Sequence, residues 1–163
     1  MDGKIVIANW LIIDGNNLIH ATPALMEAAG RDFSMARQRL VHQLDELVHV
    51  LADRITVVFD GTLGGKQTGY ESSAVEVIFS PSHFTADSVI ERLAVRAADR
   101  GNITVVSSDS LERHTVEAGG VQTLSCRSFV EEVRQAQAHL RRRLSETGRP
   151  SQKNALGDLF PKR

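Results

Sequence analysis

The chain contains one cysteine, one tryptophan and one tyrosine among 163 residues, and aromatic residues make up only 5% of it. A lone Cys126 excludes an intramolecular disulfide and a thiolate zinc site; it reads as a small buried residue. The six histidines show no close metal-ligand spacing. Long apolar runs are missing too. The longest, Ile5 to Ile13, is broken by Asn9 and is too short to span a bilayer or to form a cleavable signal, so a cytoplasmic protein with no membrane contact is expected. No Gly-x-Gly-x-x-Gly follows the first strand, which disfavours a dinucleotide fold. No Gly-x-Ser-x-Gly offers a hydrolase nucleophile. The run Gly64-Gly-Lys66-Gln-Thr68 fails as a P-loop, because Gln67 stands at the hydroxyl position and a strand pattern follows it.

What is present suits one soluble globular domain: 42% hydrophobic and 24% charged residues, in a chain long enough to bury a substantial core. Charge is unevenly spread. Residues 141–163 carry +5 and the preceding 140 carry −6, so the body is acidic and the end basic. The expected organisation is a folded domain over residues 1–146 and a flexible basic tail over 147–163, whose sequence is polar and aperiodic. That tail is either a solvated end or a contact for nucleic acid or the ribosome.

Three apolar runs each end on an aspartate: Leu11-Ile-Ile-Asp14, Thr56-Val-Val-Phe-Asp60 and Thr104-Val-Val-Ser-Ser-Asp109. Aliphatic runs without polar alternation predict strands buried on both faces of a parallel sheet. Helical spacing of Leu40, Val41, Leu44, Leu47, Val48 and Leu51 predicts a helix over 34–53, with Ser34 as its cap. Further strands are predicted at 55–59, 75–79, 103–106 and 121–124. Helices are predicted after Thr85, from Ser110 and over 127–144, with Ile90, Leu93, Ala94 and Ala97 as the buried stripe of the Thr85 helix. The alternation implies an α/β three-layer sandwich with a mostly parallel central sheet.

In such a sheet the carboxyl ends of neighbouring strands open into one crevice. Asp14, Asp60 and Asp109 belong there, as does Asp87 in the first turn of the Thr85 helix, with Glu91 one turn further on the same face. Each also has a local explanation: Asp14-Gly and Asp60-Gly are turn dipeptides, Asp87 suits a helix dipole, and Asp109 with Glu112 forms a capping-box pattern. A crevice that gathers several carboxylates is either protonated or holds cations, since two unit charges 4 Å apart repel by about 4 kcal/mol at an effective dielectric of 20. Oxygen-only ligands select hard ions such as Mg²⁺ or Mn²⁺. That chemistry suits phosphodiester hydrolysis.

The ordered set Ile13-Asp-Gly-Asn-Asn-Leu-Ile19, Ala36-Arg-Gln-Arg-Leu40, Val57-Val-Phe-Asp-Gly61, Thr85-Ala-Asp-Ser-Val-Ile-Glu-Arg92, Ser107-Ser-Asp109, Gly119-Gly and Ser125-Cys-Arg-Ser-Phe-Val-Glu-Glu-Val133 resembles the YacP-like branch of the NYN ribonucleases, relatives of PIN domains. The resemblance covers about residues 10 to 140. It implies a PIN/NYN-like fold and a metal-dependent endoribonuclease. By motif position it implies an acidic pocket of Asp14, Asp60, Asp87 and Asp109, with Asn16 and Ser108 orienting ligands or water; Glu91, one helical turn after Asp87, is expected from that spacing to be an outer or second-metal group. Ser88 stands where the family often has a glutamate.

Arg37 and Arg39 at the start of a helix, and Lys66 and Tyr70 in the glycine-rich loop after Asp60, are candidates for holding RNA phosphates and stacking a base. His20 and His83 are candidates for proton transfer. Three functions are open: an RNA-cleaving enzyme, a non-catalytic RNA- or ribosome-binding module on the same fold, and a small phosphohydrolase or phosphoacceptor with Asp14 as nucleophile. The last lacks a second Asp two residues after Asp14.

Overall fold

The computed structural model describes residues 7–30, 32–61, 69–71, 73–97 and 99–146. The basic tail and Lys66 lie outside the described residues. Five strands form one sheet, all parallel: β1 (Ala8–Asp14), β2 (Ala52–Phe59), β3 (Glu76–Phe79), β4 (Ile103–Val106) and β5 (Gln122–Leu124), in the order β3-β2-β1-β4-β5. The helices are α1 (Gly15–Ala21), α2 (Pro23–Ala29), α3 (Phe33–Asp45), α4 (Ala86–Arg96), α5 (Ser110–Ala118) and α6 (Cys126–Glu146).

Alternation along β1 divides the core. Leu11 and Ile13 pack with Leu18, Leu40, Leu44, Phe129 and Val133 on one face, beneath α1, α3 and α6. Ile12 faces the other way and packs with Ile90, Ala94, Val105 and Val116 beneath α4 and α5. Both faces of the central strands are therefore covered, as their unbroken apolar composition requires. This is the expected three-layer sandwich.

Three local expectations are revised. The helix predicted over 34–53 ends at Asp45. Leu47 and Leu51 continue its apolar spacing but are buried in turns leading into β2, which starts three residues earlier than predicted. Its cap is Asp32, whose side chain accepts the Ser34 N–H at 2.9 Å, rather than Ser34 itself. The short α1 and α2 were not predicted; seven residues each leave too few positions for a helical period to show.

The chain runs from β1 outward through β2 to β3, then returns to place β4 on the other side of β1. The strand order reverses between β1 and β4. That is where the carboxyl edge of an open parallel sheet leaves a crevice between diverging connections.

Candidate metal centre

β1 delivers Asp14 to this crevice as its last residue, and Asp14 also caps α1. One carboxylate oxygen accepts the Asn17 N–H at 3.2 Å and the other accepts Asn17 Nδ2 at 2.8 Å. The turn into α1 needs glycine at position 15: a Cβ there would stand 2.5 Å from Phe59 Cδ1 and 2.8 Å from Val57 Cγ1. Asp14 is thus pinned by a close approach of α1 to β2, and it is only 3% exposed.

Across the reversal point, β4 leads through Ser107 into α5. Asp109 caps that helix, accepting the N–H groups of Leu111 at 2.9 Å and Glu112 at 3.3 Å. A full capping box would return Glu112 to the Asp109 N–H. Here that N–H donates to Ser107 Oγ at 3.1 Å, and the Ser107 hydroxyl donates to Glu112 Oε2 at 2.5 Å. Glu112 is consequently drawn inward, to 3% exposure. Asn17 Nδ2 also donates to Ser107 Oγ at 3.1 Å, which links the two sides of the crevice.

The third acid arrives from above. Thr85 caps α4 as predicted, accepting the Ser88 N–H at 3.2 Å, and this sets Asp87 in the first turn. Asp14, Asp87 and Glu112 each present an oxygen, and these oxygens lie within 4.8 Å of one another. Burial raises the Asp14 carboxyl from 3.8 to about 6, with the Asn17 N–H opposing and the Asp87 charge adding to the rise. Burial likewise raises Glu112 from 4.5 to about 8; the Ser107 hydroxyl pulls it down and the charges of Asp14 and Asp87 push it up. Glu112 Oε1 is buried without a hydrogen-bond partner among the described residues. Three converging carboxylates, two of them held away from water and one with an unused buried oxygen, fit a hard divalent cation by donor type.

The other expected site residues take different positions. Asp60 directly follows β2 on the same edge but lies outside the three-acid group; its N–H donates to Asn16 Oδ1 at 3.2 Å, and Ser80 Oγ stands 3.5 Å from its carboxylate. Asn16 therefore ties α1 to the end of β2. Asp109 is exposed and occupied as a cap, while Ser108 is exposed. Glu91 lines a small cavity between α4 and α5, with Thr115 and Val116. Arg37 is 1% exposed, its guanidinium 5.5, 5.9 and 5.3 Å from the ring centres of Phe33, Phe59 and Phe79. Tyr70 is 9% exposed against Phe79, its hydroxyl buried without a hydrogen-bond partner among the described residues. Both side chains are thus packed into the protein, where the sequence reading had them at the surface. Arg39, His20 and His83 are exposed.

Glu112, Asn17 and Ser107 escaped the sequence reading as members of the site. Asn17 and Glu112 each stand three residues after an aspartate cap, at the start of a helix that opens on the sheet's carboxyl edge. That placement was the available signal.

The YacP-like NYN domain family model matches residues 11–162. The Bacillus subtilis (strain 168) protein described as uncharacterized protein YacP is 32% identical over 152 residues, covering 91% of this chain and 89% of that one. The crystal structure of Rae1 (YacP) from Bacillus subtilis, as its W164L mutant, superposes with a TM-score of 0.69 at 29% identity, over 93% of this chain and 89% of that one. A second crystal structure of Rae1 (YacP) from the same organism also has a TM-score of 0.69, at 32% identity, covering 84% of this chain and 80% of its own. With its nuclease-type α/β fold and an acidic crevice at the sheet's reversal point, the chain belongs to the YacP-like NYN domain family.

Proposed function

We propose that the protein is a metal-dependent endoribonuclease that uses Mg²⁺ or Mn²⁺ to hydrolyse RNA phosphodiester bonds. The observation that carries this reading is the convergence of Asp14, Asp87 and Glu112 within 4.8 Å at the edge of a nuclease-type sheet. These three residues would hold the ion, which when bound supplies an activated water and a counter-charge for the phosphate. Asn17 orients Asp14, and Ser107 orients Glu112. In this reading Asp60, on the same edge, acts toward the substrate or a second ion, and Asp109 acts through the helix that carries Glu112.

RNA, including RNA on the ribosome, is the proposed substrate. The net −6 of residues 1–140 disfavours RNA without a cation, and the basic end at 141–163 offsets that repulsion. The test is incubation of the full chain with mixed single-stranded and structured RNAs, in Mn²⁺ and in EDTA, beside Asp14→Asn. Metal-dependent internal cleavage lost in the variant supports the reading. RNA binding without cleavage under any divalent ion replaces it with the non-catalytic module.

A further inference from the structure

A second feature lies outside the acidic crevice. A groove of about 720 Å³ runs along the face of α4 that carries Arg92 and Arg96, a volume typical of pockets that hold whole small ligands. Trp10 of β1 and Ile78 of β3 are among its apolar lining residues, together with Phe84 from the loop before α4. Trp10 is fixed by its indole N–H, which donates to Thr56 Oγ1 at 2.9 Å. Arg54 lies 3.8 Å from the Trp10 ring centre and is ion-paired with Glu76, and Arg92 lies 4.6 Å from that of Phe84. Neither Arg92 nor Arg96 is in a salt bridge among the described residues. With Arg54 paired to Glu76, Arg92 and Arg96 face one acid, Asp99, among the described lining residues, which makes this lining basic in a body that is otherwise acidic.

Flat rings interleaved with guanidinium groups are the surface that single-stranded nucleic acid uses, bases stacking on rings or on arginine planes while cations meet phosphates. The same helix joins the groove to the metal centre. Asp87 in its first turn belongs to the acidic group, and Arg96 in its last turn lines the groove, nine residues and about 14 Å away along the axis.

We propose that the α4 groove is a binding subsite for single-stranded RNA flanking the cleavage position, with bases packed at Trp10 and Phe84 and phosphates held by Arg92 and Arg96. The identity of the occupant rests on the nuclease reading; the groove itself does not. Trp10 is the chain's one tryptophan, so its fluorescence reports occupancy directly. The experiment titrates the full chain with an oligouridylate in EDTA, where a metal-dependent enzyme cannot cut, and repeats the titration with Arg92→Gln/Arg96→Gln.

The expected result is a saturable change in Trp10 emission. The double variant should weaken it about tenfold or more, and the slope of log affinity against log salt should fall by about 1.4, roughly 0.7 per lost phosphate contact. A silent tryptophan, or an equal response to heparin, which has no bases, overturns the subsite. Cleavage with unchanged KM in the double variant also overturns it while leaving the nuclease reading intact. A responsive Trp10 in a chain that cleaves nothing with Mn²⁺ keeps the subsite and removes the nuclease.

Discussion

The Ser107 hydroxyl donates to Glu112 Oε2 at 2.5 Å, and this bond diverts Glu112 from its helix cap into the acidic crevice. Ser107→Ala leaves a buried carboxylate oxygen without its donor, which costs about 1–3 kcal/mol of stability. It also removes the interaction that lowers the Glu112 carboxyl, so that group titrates still higher. In a pH-rate profile, the acid limb of metal-dependent cleavage should move to higher pH. An unmoved limb with a lowered melting temperature would reduce Ser107 to a structural role.

Glu112 and Asp109 are three residues apart but should behave differently when neutralised. Glu112→Gln removes one of three converging carboxylates, and cleavage should fall by two orders of magnitude or so, with affinity for Mn²⁺ falling alongside. Asp109→Asn keeps an N-cap side chain as effective as aspartate, so stability should change by a few tenths of a kcal/mol and most activity should survive. Abolished cleavage in Asp109→Asn with an intact fold would return Asp109 to the ligand set.

Without metal, the acids should make stability fall with rising pH. Asp14 at about 6 and Glu112 at about 8 both bind protons more tightly in the folded chain than at their ordinary values of 3.8 and 4.5. Between about pH 4 and 8 the folded state therefore holds more protons than the unfolded one, so the unfolding free energy declines across that window and levels off above it. A bound divalent ion replaces those protons. At pH 8, Mn²⁺ at roughly 100 times its dissociation constant should add about 2.7 kcal/mol, and about 5–10 °C in melting temperature for a chain of this size. The increment should shrink toward pH 5; an increment equal at both pH values contradicts competition between metal and protons.

Gly15→Ala should be costly despite its small size. The new methyl would collide with the buried Phe59 ring and Val57, for a penalty of about 1–3 kcal/mol. Because Gly15 follows Asp14 directly, the variant's folded fraction should also bind Mn²⁺ more weakly. Chemical denaturation and metal titration on the same preparation separate the two effects.

Arg37→Ala should act on the core and leave the interaction with RNA alone. Its side chain packs among Phe33, Phe59 and Phe79, so truncation should cost about 2–4 kcal/mol while RNA affinity per folded molecule stays the same. A loss of affinity at unchanged stability would restore the phosphate-binding role expected from its place near a helix start.

Local composition determined the layered α/β plan and the sheet edge at which the chemistry gathers. Unbroken aliphatic runs such as Leu11 to Ile13 can be buried only in a sheet covered on both faces, and residues that follow such strands must emerge at one edge. Asp14 and Asp87 could be placed there from sequence because a strand end and a helix cap fix their direction. What the sequence could not decide is how polar neighbours share their bonds. Asn17 rather than Asn16 turns to Asp14, and Ser107 rather than Ser108 faces inward, because one residue's step along the backbone reverses or rotates the side chain. Glu112 left its capping box because Ser107, the residue directly after β4, took over the Asp109 N–H. Arg37 and Tyr70 looked like surface contacts for RNA by residue type, and their burial follows from which way α3 and the returning chain face once β2 and β3 are paired. Strand order is a long-range property, and it alone brings β1 beside β4 and closes three distant acids into one group.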